Sequence, residues 1–546
     1  MALIPLDRSP FGFGHMEWIV AFSALAVIYT LSLSLRTRSG ADSRRPPGPR
    51  GLPVLGNLLD IPGKHLATYF RQLCEEYGGL VSLNFAGFAS ISRPMGLKIL
   101  TRIHQRIILL GNMTLARELL EKRSAKFSSR PIVPYALHYD PEQIYWTSVS
   151  GRNNFLGRKL TAGIMAGVRA GDTELLQQLE ALVCTTRLLE GRGKDWMREI
   201  ERTSASMILS ASFGLHCPTG EEPELKEVLT CLTELVQLGS PSGSIINALP
   251  FLDIIPGPMP WRKRAAAFRK REDALYDHLV TRAVSGEAAG MNTWAAVFAS
   301  NDKTEGDQRK LLNILVVKQA GIETTASSLQ TFVLACLLFP QWVARAQKES
   351  DAVVGKDRIP TFKDRPQLPY IEAVVRARFG LPHECTADDV VEYQGKEYLI
   401  PKGSIVFAVT WAIEHDKKHD DADEFRPDRF LDVDGKLRLG YETSAFGFGR
   451  RVCPGQSFAE RSLWINIAMM LWTFDIRKST EVDAQTGSPF DYGCGDAQFN
   501  GAITNPPLEF LAVFKPRTGH HAEVVRQEWV NCEKDLNVLL PQRKGP

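Results

Sequence analysis

The stretch SAFGFGRRVCPGQSFAERS, residues 444–462, places a single cysteine among glycines and arginines in front of an apolar helical pattern. Ala459, Leu463 and Ile467 recur at helical spacing, which predicts that Cys453 lies just before a helix N-terminus. At that position the helix dipole and free backbone N–H groups stabilise a negatively charged sulfur. An isolated cysteine is more often an inert core residue, so the interpretation depends on its neighbours.

The neighbours of Cys453 favour a thiolate that contacts a flat, acidic ligand. Gly449 and Gly455 allow the backbone to approach such a ligand closely. Phe446 can shield the sulfur, and Arg451 supplies a cation for an acidic group of the ligand. Because nothing in the sequence indicates a disulfide partner for this cysteine, a thiolate ligand is the preferred interpretation.

The composition of the whole chain sets broad limits on its class. It has 546 residues, 44% of them hydrophobic, and a net charge of +3. This length forms one large domain or a few smaller ones with an ample core. The charge is too small to indicate nucleic-acid binding, and no nucleic-acid partner is expected. The nine cysteines are scattered without a CxxC pair, which disfavours a zinc site or a disulfide framework and fits a reduced, cytosol-facing protein.

The N-terminus carries an uncharged apolar run from Trp18 to Leu35. At about 1.5 Å per residue this run would span roughly 27 Å, close to the thickness of a bilayer core. It lacks the cleavage site of a secretory signal. The arginines that follow it, from Arg36 to Arg45, leave the rest of the chain in the cytosol. We predict a membrane anchor over residues 1–36, with its transmembrane helix at about 18–35.

Beyond the anchor, the sequence predicts one mainly α-helical domain with a minor β region. Prolines rule out helix in residues 37–57 and predict a stiff, extended hinge. Residues 58–530 show no repeats and no second linker, and helical patterns dominate them. We assign them to a single large domain, followed by a tail over residues 531–546.

A second unusual segment is QAGIETTASS, residues 319–328, inside the apolar pattern Leu311–Leu338. Glu323 and Thr324 stand at the centre of a helix that is apolar almost all round and therefore buried. Buried polar groups need partners or a task. A threonine hydroxyl that bonds back to its own helix is a common alternative, and the Cys453 loop is what favours a functional role.

The cysteine loop identifies a family. The pattern Phe446-x-x-Gly449-x-Arg451-x-Cys453-x-Gly455 resembles the haem-binding loop of the cytochrome P450 family, and the resemblance extends over almost the whole chain. It implies the cytochrome P450 fold, with haem b (iron protoporphyrin IX) as cofactor. The Cys453 thiolate would be the axial ligand of the haem iron, and Arg451 would pair with a haem propionate.

Other segments resemble the same family. AGIETT, residues 320–325, is similar to its oxygen-activation motif, so Glu323 and Thr324 would steer protons to dioxygen. FRPDRF, residues 425–430, is similar to the stretch with the arginine of a structural Glu-Arg-Arg triad, here Arg429. GLPHECT places His383 where relatives often contact a propionate.

The chain departs from the family at the usual Glu-x-x-Arg pair. Glu372 and Arg376 stand four residues apart instead of three, and the chain then passes directly to GLPH. We therefore predict that a segment is absent after about Ala377. Four-residue spacing puts both side chains on one helix face, so a partial substitution is conceivable, but an ordinary surface pair is the preferred interpretation.

Two more departures lie nearer the N-terminus. Residues 87–112 read as an insert between two strands that a short turn would normally join. Residues 145–159 contain Arg158, the best match for an arginine of the family's propionate-binding helix, without the tryptophan expected four residues earlier. We hypothesise that these sites and the missing pair are retained or skipped coding segments. An expressed transcript identical to this chain would defeat that hypothesis.

The resemblance implies a single-pass monooxygenase of the endoplasmic reticulum membrane with a cytosolic catalytic domain. NADPH–cytochrome P450 reductase would supply its electrons, and the substrate would be a lipophilic small molecule. The apolar segment 238–268 resembles the roof of the substrate channel in fungal members of secondary metabolism. Two alternatives stay open. One is a haem-deficient pseudoenzyme or mis-spliced product, and the other is a haem protein that performs isomerisation or dehydration without dioxygen.

Overall fold

The computed structural model confirms a mainly helical fold with small sheets. It describes residues 44–540 apart from 53–55, 63–64, 93–97, 141–149, 192, 240–242, 249, 286–290, 300–319, 376–382, 417–421, 423, 439–443, 482–489, 491, 494, 496–497 and 501–504. The helices are α1 Leu66–Tyr77, α2 Met113–Arg117, α3 Ala136–Tyr139, α4 Arg152–Ala170, α5 Glu174–Glu190, α6 Trp196–Phe213, α7 Pro223–Gly239, α8 Ile245–Ala248, α9 Pro260–Ser285, α10 Trp294–Ala299, α11 Ala320–Leu338, α12 Gln341–Val353, α13 Pro369–Val374, α14 Thr410–Glu414, α15 Gln456–Thr473, α16 Gly519–Asn531 and α17 Leu536–Leu539. The predicted transmembrane helix lies outside the described residues.

The strands form three small sheets. The strands are β1 Leu80–Ser92, β2 Lys98–Leu110, β3 His383–Glu384, β4 Asp389–Tyr393, β5 Lys396–Ile400, β6 Ile405–Ala408, β7 Phe474–Lys478 and β8 Ala512–Pro516. The first sheet has the order β1-β2-β6-β3, and β4 with β5 and β7 with β8 form antiparallel pairs. The parallel pairing of β2 with β6 brings chain segments that are distant in sequence into one sheet.

The predicted insert at residues 87–112 extends the pairing of two strands. β1 and β2 pair antiparallel from Leu80 with Leu110 to Ser92 with Lys98, with register shifts around Ala89. The segment thus adds a long hairpin arm beyond the part of β2 that pairs with β6. The apolar run Ile107–Leu110 at the end of this segment is buried and pairs with β6, as suits a strand inside a sheet.

The core is built around α15 and α11. Trp464 and Trp472 of α15 are fully buried, and each contributes roughly 4–6 kcal/mol of transfer free energy. α15 packs against α5, α11 and α12. Among the described helices, α11 has the length and hydropathy of a membrane span, but 67% of its apolar window is buried inside the protein. It is therefore a core helix of this domain.

The predicted hinge packs against the domain. The backbone N–H of Ser82 donates to the carbonyl of Pro47 (2.7 Å), and Asn57 exchanges hydrogen bonds with Asn84 of β1. Gly56 has φ 58°, and a Cβ there would lie 2.3 Å from the carbonyl oxygen of Asn84. The described part of this segment therefore lies along β1 as part of the fold.

The predicted tail also packs against the domain as far as it is described. Leu539 of α17 is 3% exposed and contacts Leu179 and Val183 of α5, and Leu540 is buried beside it. These contacts extend the packed domain to residue 540, past the predicted boundary at 530.

Candidate functional site

The loop that carries Cys453 is held by its own backbone. Two short 3-10 turns, Ser444–Phe446 and Gly449–Arg451, precede it. The N–H of Cys453 donates to the carbonyl of Phe446 (2.8 Å), and the Cys453 carbonyl accepts from the N–H of Gln456 (3.4 Å). α15 begins at Gln456, so the half-buried Cys453 lies just before a helix N-terminus, as the sequence predicts.

The glycines of the loop have different structural roles. Gly449 has φ 55°, and a Cβ there would lie 2.0 Å from the carbonyl oxygen of Leu120, so no larger residue fits. Gly455 has ordinary backbone angles, and its Cβ position faces open space. Gly449 therefore fixes the loop against the protein, whereas Gly455 leaves the side next to Cys453 open.

The other described cysteines are unsuited to act as thiolates. Burial raises the pKa of Cys74 and of Cys184 to about 12, and it raises that of Cys385 to about 11. At neutral pH these thiols stay protonated. Among the described cysteines, Cys453 is the one that lies in the loop before α15, where the sequence predicts a thiolate ligand.

Three arginines meet beside the cysteine loop, and we call Arg130, Arg158 and Arg451 the arginine cluster. Burial, together with the charges of Arg451 and Arg158, lowers the pKa of Arg130 to about 9. Burial and the charge of Arg158 lower the pKa of Arg451 to about 10. The net effect of the surroundings is thus to disfavour these positive charges, as expected where like charges are buried together.

Hydrogen bonds tie the arginine cluster to the cysteine loop. Both terminal nitrogens of Arg158 donate to the carbonyl of Val452, each at 3.2 Å. The Nε of Arg451 donates to the carbonyl of Ser128, and its Nη2 donates to the Ser150 hydroxyl (3.4 Å). Burial lowers the pKa of Arg158, and a charge on the Cys453 sulfur opposes that shift. The guanidinium of Arg158 is therefore bonded to the residue next to Cys453 and interacts electrostatically with the cysteine sulfur.

His383 joins the arginine cluster from β3. It is 3% exposed, and its Nδ1 lies 2.7 Å from the carbonyl oxygen of Phe127, so Nδ1 carries the proton. Burial and the charge of Arg130 lower the pKa of His383 to about 3, with smaller contributions from Arg451 and Arg158. The structure thus brings three of the sequence-predicted residues, Arg158, His383 and Arg451, to one place.

Arg130 is the member of this group that the sequence analysis missed. It lies in the segment FSSRP, residues 127–131, where no spacing or charge pattern marks it. It reaches the others because Ser129 bridges to Glu384 of β3, next to His383. Only the tertiary fold brings these segments together.

The helix α11 carries Glu323 and Thr324 with an open stripe on one side. Ala320 and Thr324 are exposed and Ser328 is half-buried, whereas most of the helix is buried. These residues are four apart and share one face. The Thr324 hydroxyl donates to the carbonyl of Ala320 (2.8 Å), and the Ser328 hydroxyl donates to that of Thr324 (2.7 Å). The back-bonded alternative that the sequence left open for Thr324 is therefore what the structure contains.

The region of the missing Glu-x-x-Arg pair contains a short helix. α13 spans Pro369–Val374, and Arg376 lies outside the described residues. Glu372 forms a two-fold ion pair with Arg365, at 2.7 and 2.8 Å. Arg429, the expected triad arginine, donates to the carbonyl of Glu424 (2.9 Å). The described side-chain contacts of Glu372 are thus made with Arg365, which precedes α13 in the chain.

The predicted channel roof is tied to α3. Asp253 accepts from Nη2 of Arg262 (3.0 Å), and its Oδ1 lies 2.8 Å from Nε2 of His138. The N–H of Tyr135 donates to Asn247 (3.0 Å) at the other end of the same segment. These contacts join the described part of the segment 238–268 to Tyr135 and to His138 of α3.

The comparisons with known proteins identify the class. The family model described as cytochrome P450 matches residues 96–491. The chain belongs to the cytochrome P450 family, and it is an oxidoreductase of the monooxygenase type.

The particular relatives are fungal. A cytochrome P450 monooxygenase of Armillaria gallica is 31% identical, over 94% of this chain and 96% of that protein. Monooxygenase claR of Ampulloclitocybe clavipes is 30% identical over 90% of this chain and 91% of its own length. Monooxygenase aneD of Aspergillus aculeatus is 31% identical over 94% and 97%. The chain is therefore similar to these enzymes over nearly their full lengths.

Membership of this family implies a haem iron cofactor, and the described residues fit one. Haem carries two carboxylates. Their negative charges would stabilise the positive charges of the arginine cluster and raise the lowered pKa values of Arg130 and Arg451. A Cβ at Gly455 would face open space, so the side of the loop next to Cys453 has room for a flat ligand. A soft thiolate donor suits iron in a porphyrin.

Proposed function

We propose that this chain is a haem-thiolate monooxygenase in which the Cys453 thiolate would bind the iron of haem b. The observation that carries this proposal is the position of Arg158, whose guanidinium donates two hydrogen bonds to the Val452 carbonyl next to Cys453 and interacts electrostatically with the sulfur. A nearby cation favours the thiolate form of the cysteine. Bound haem supplies the activation of dioxygen and the transfer of one oxygen atom to substrate.

The arginine cluster and His383 would hold the haem propionates. Arg451 is 5% exposed, and its guanidinium is oriented by the Ser128 carbonyl and the Ser150 hydroxyl. A carboxylate placed here would form charge-assisted hydrogen bonds and would relieve the repulsion among the arginines. Phe446, whose carbonyl fixes the N–H of Cys453, would shield the sulfur from water.

Glu323 and Thr324 would hold and transfer protons at the open face of α11. The Thr324 hydroxyl donates to its own helix in this structure, so its oxygen is free to accept a proton from a neighbour on the open face. Glu323 is half-buried one residue away and carries an ionisable group. Together they can hold a proton at the Thr324 oxygen and replace it from the Glu323 carboxyl.

The partners and location follow from the family and from the sequence. NADPH–cytochrome P450 reductase would supply electrons to the haem. The N-terminal run at about 18–35 would anchor the protein in the endoplasmic reticulum membrane, with the catalytic domain in the cytosol. The substrate would be a lipophilic small molecule, and the resemblance of the segment 238–268 to fungal relatives supports an intermediate of secondary metabolism.

A second candidate function is a haem-deficient pseudoenzyme. It is favoured by the short α13, which ends at Val374, and by the pairing of Glu372 with Arg365. A domain that has lost a structural ion pair near its haem pocket could fold without retaining the cofactor.

The test uses the full chain, produced with a reductase in membranes. A reduced, CO-bound spectrum with the Soret band of a thiolate-ligated haem supports the monooxygenase, and its absence supports the pseudoenzyme. Turnover under ¹⁸O-labelled dioxygen then separates oxygen insertion from isomerisation or dehydration. We expect one labelled oxygen atom in the product, and an unlabelled product would contradict the proposal.

A further inference from the structure

The interface between α6 and α11 contains polar side chains that have no role in the proposed function. A Cβ built on Gly321 would lie 3.0 Å from Cδ1 of Ile208. Two and a half turns further along α11, Nε2 of Gln330 donates to Oε1 of Glu201 (3.3 Å). The two helices therefore run antiparallel, with Glu201 at one end of the interface and Gly321 at the other.

On α6, one face carries the residues that meet α11. Glu201, Ser204 and Ile208 are three and four residues apart, so they share that face. Ser204 is 2% exposed, and its hydroxyl has no hydrogen-bond partner among the described groups. A buried hydroxyl without a partner is unusual in a native fold and calls for an explanation.

On α11, the matching face is also polar. Glu323, Ser327 and Gln330 are four and three residues apart, so they line up along the helix toward Glu201. Ser327 and Gln330 are buried, whereas Glu323 is half-buried. A row of polar side chains, which we call the polar row, thus runs through an otherwise apolar interface from Glu201 to Glu323.

The electrostatics of Glu201 show that its carboxyl and that of Glu323 interact. The Glu201 side chain is exposed at the end of the interface. Withdrawal of its carboxyl from water by the surrounding helices raises its pKa, and the charge of Glu323 raises it further, while Gln330 and Arg198 act in the opposite direction. Glu201 therefore holds a proton at higher pH than an ordinary glutamate.

We propose that Glu201 takes up protons from solvent and supplies them, along the interface of α6 and α11, to Glu323. This inference rests on the proposed function, and Glu201 acts through Glu323 without touching the substrate. A proton leaves the Glu201 carboxyl, passes through water bound at the unpartnered Ser204 hydroxyl, and protonates Glu323. Glu323 passes a proton to the Thr324 hydroxyl, and Glu201 regains one from solvent.

The proton demand of the reaction makes such a supply necessary. Insertion of one oxygen atom consumes dioxygen, two electrons and two protons, and it releases one water. The electrons come from the reductase, whereas the protons have to enter from solvent through the protein. Glu201 combines a residue that reaches the protein surface with a place at the end of the polar row and a hydrogen bond to Gln330, which is what an entry point requires.

The test compares Glu201→Gln with Glu190→Gln, a matched change of an exposed carboxylate at the end of the neighbouring α5. Both variants should keep the reduced, CO-bound spectrum. We expect kcat of Glu201→Gln to fall by about tenfold or more, with a larger solvent isotope effect and more NADPH consumed per product. Glu190→Gln should match the unchanged protein in each respect.

A readout independent of turnover is the infrared band of protonated carboxyls during a pH titration. We expect a carboxylic-acid band that titrates above the usual range of glutamate, is lost in Glu201→Gln and persists in Glu190→Gln. Ser204→Ala, which removes a buried hydroxyl that has no partner among the described groups, should also raise the solvent isotope effect. Unchanged kcat, isotope effect and infrared band in Glu201→Gln would overturn the proposal. Loss of the CO-bound spectrum in the unchanged protein would instead count against the proposed function.

Discussion

Two arginine-containing sites in this protein have opposite electrostatic balances. Arg202 of α6 donates to Glu180 (3.1 Å) and to Glu199 (2.8 Å), and we call these three residues the Arg202 network. Burial alone would lower the pKa of Arg202, but the two carboxylates outweigh it and raise that pKa. In the arginine cluster, burial and neighbouring arginines lower the pKa of Arg130 to about 9.

The difference shows what each group is for. The Arg202 network contains its own counter-charges, so its charges are balanced by the fold itself. The arginine cluster is arranged so that its charges are disfavoured until a negatively charged ligand arrives. The first group should therefore matter for folding whether or not haem is bound, and the second should matter for haem binding.

The largest expected effect comes from breaking the Arg202 network. Arg202→Leu leaves Glu180 and Glu199 buried without this cation and should destabilise the protein by about 3–5 kcal/mol. Thermal unfolding of the full chain in detergent, with and without haem, measures it. The control is Arg198→Leu, because Arg198 pairs with Glu221 at the surface and should cost less than about 1 kcal/mol. Equal melting temperatures for the two variants would contradict this account.

The next expected effect concerns the arginine cluster, where a substitution should weaken haem binding without destabilising the haem-free protein. Arg130→Gln removes one of three repelling charges, so the haem-free protein should unfold at the same temperature or higher. The Arg130→Gln variant should bind haem about tenfold more weakly than the unchanged protein, because a charge-assisted hydrogen bond to the haem is lost.

Titration of the haem-free protein, followed at the Soret band, measures that affinity. Arg450→Gln is the matched control, since Arg450 is exposed next to Arg451, and it should leave haem affinity unchanged. If Arg130→Gln destabilised the haem-free protein as Arg202→Leu does, the two groups would not differ in the way described.

How much the sequence predicted can be judged on these same residues. Cys453, Gly449 and Arg451 lie within one local motif, whose spacing alone set their positions before α15. Arg158 and His383 came from resemblance, and the structure places both beside Arg451. Local motifs were predictable because the chemistry and the spacing lie in one continuous segment.

What the sequence left out depends on contacts between distant segments. Arg130 joins the cluster only because the segment before it pairs with β3, and Arg202 meets Glu180 only because α5 packs on α6. Residues 87–112 were predicted as an insert, but their strand pairing was not, because it depends on the contact of β1 with β2 and of β2 with β6. None of these pairings has a signature in a single segment.

A further expected effect is a pH dependence that comes from His383. Burial and Arg130, with Arg451 and Arg158, lower its pKa from 6.5 to about 3. Between these values the unfolded chain binds a proton that the folded state does not, so stability rises with pH and is lost as the pH falls below 6.5. From neutral pH to pH 5 this group should cost the haem-free protein about 2 kcal/mol.

The variant His383→Asn separates this contribution from others, since its amide can still donate to the Phe127 carbonyl. The haem-free variant should lose less stability between pH 7 and pH 5 than the unchanged protein. Bound haem should flatten the curve in the same way, because its carboxylates would raise the pKa of His383. Parallel curves for the two proteins without haem would show that His383 is not buried among the arginines as described.

The measurement that tests the account most directly is the reduced, CO-bound spectrum of Cys453→Ser beside that of the unchanged protein. We predict the Soret band of thiolate ligation in the unchanged protein. In the variant that band should disappear together with product formation, because an alcohol oxygen cannot replace the thiolate donor. If Cys453→Ser kept both the thiolate-type band and turnover, Cys453 would not be the ligand and the proposed site would be wrong.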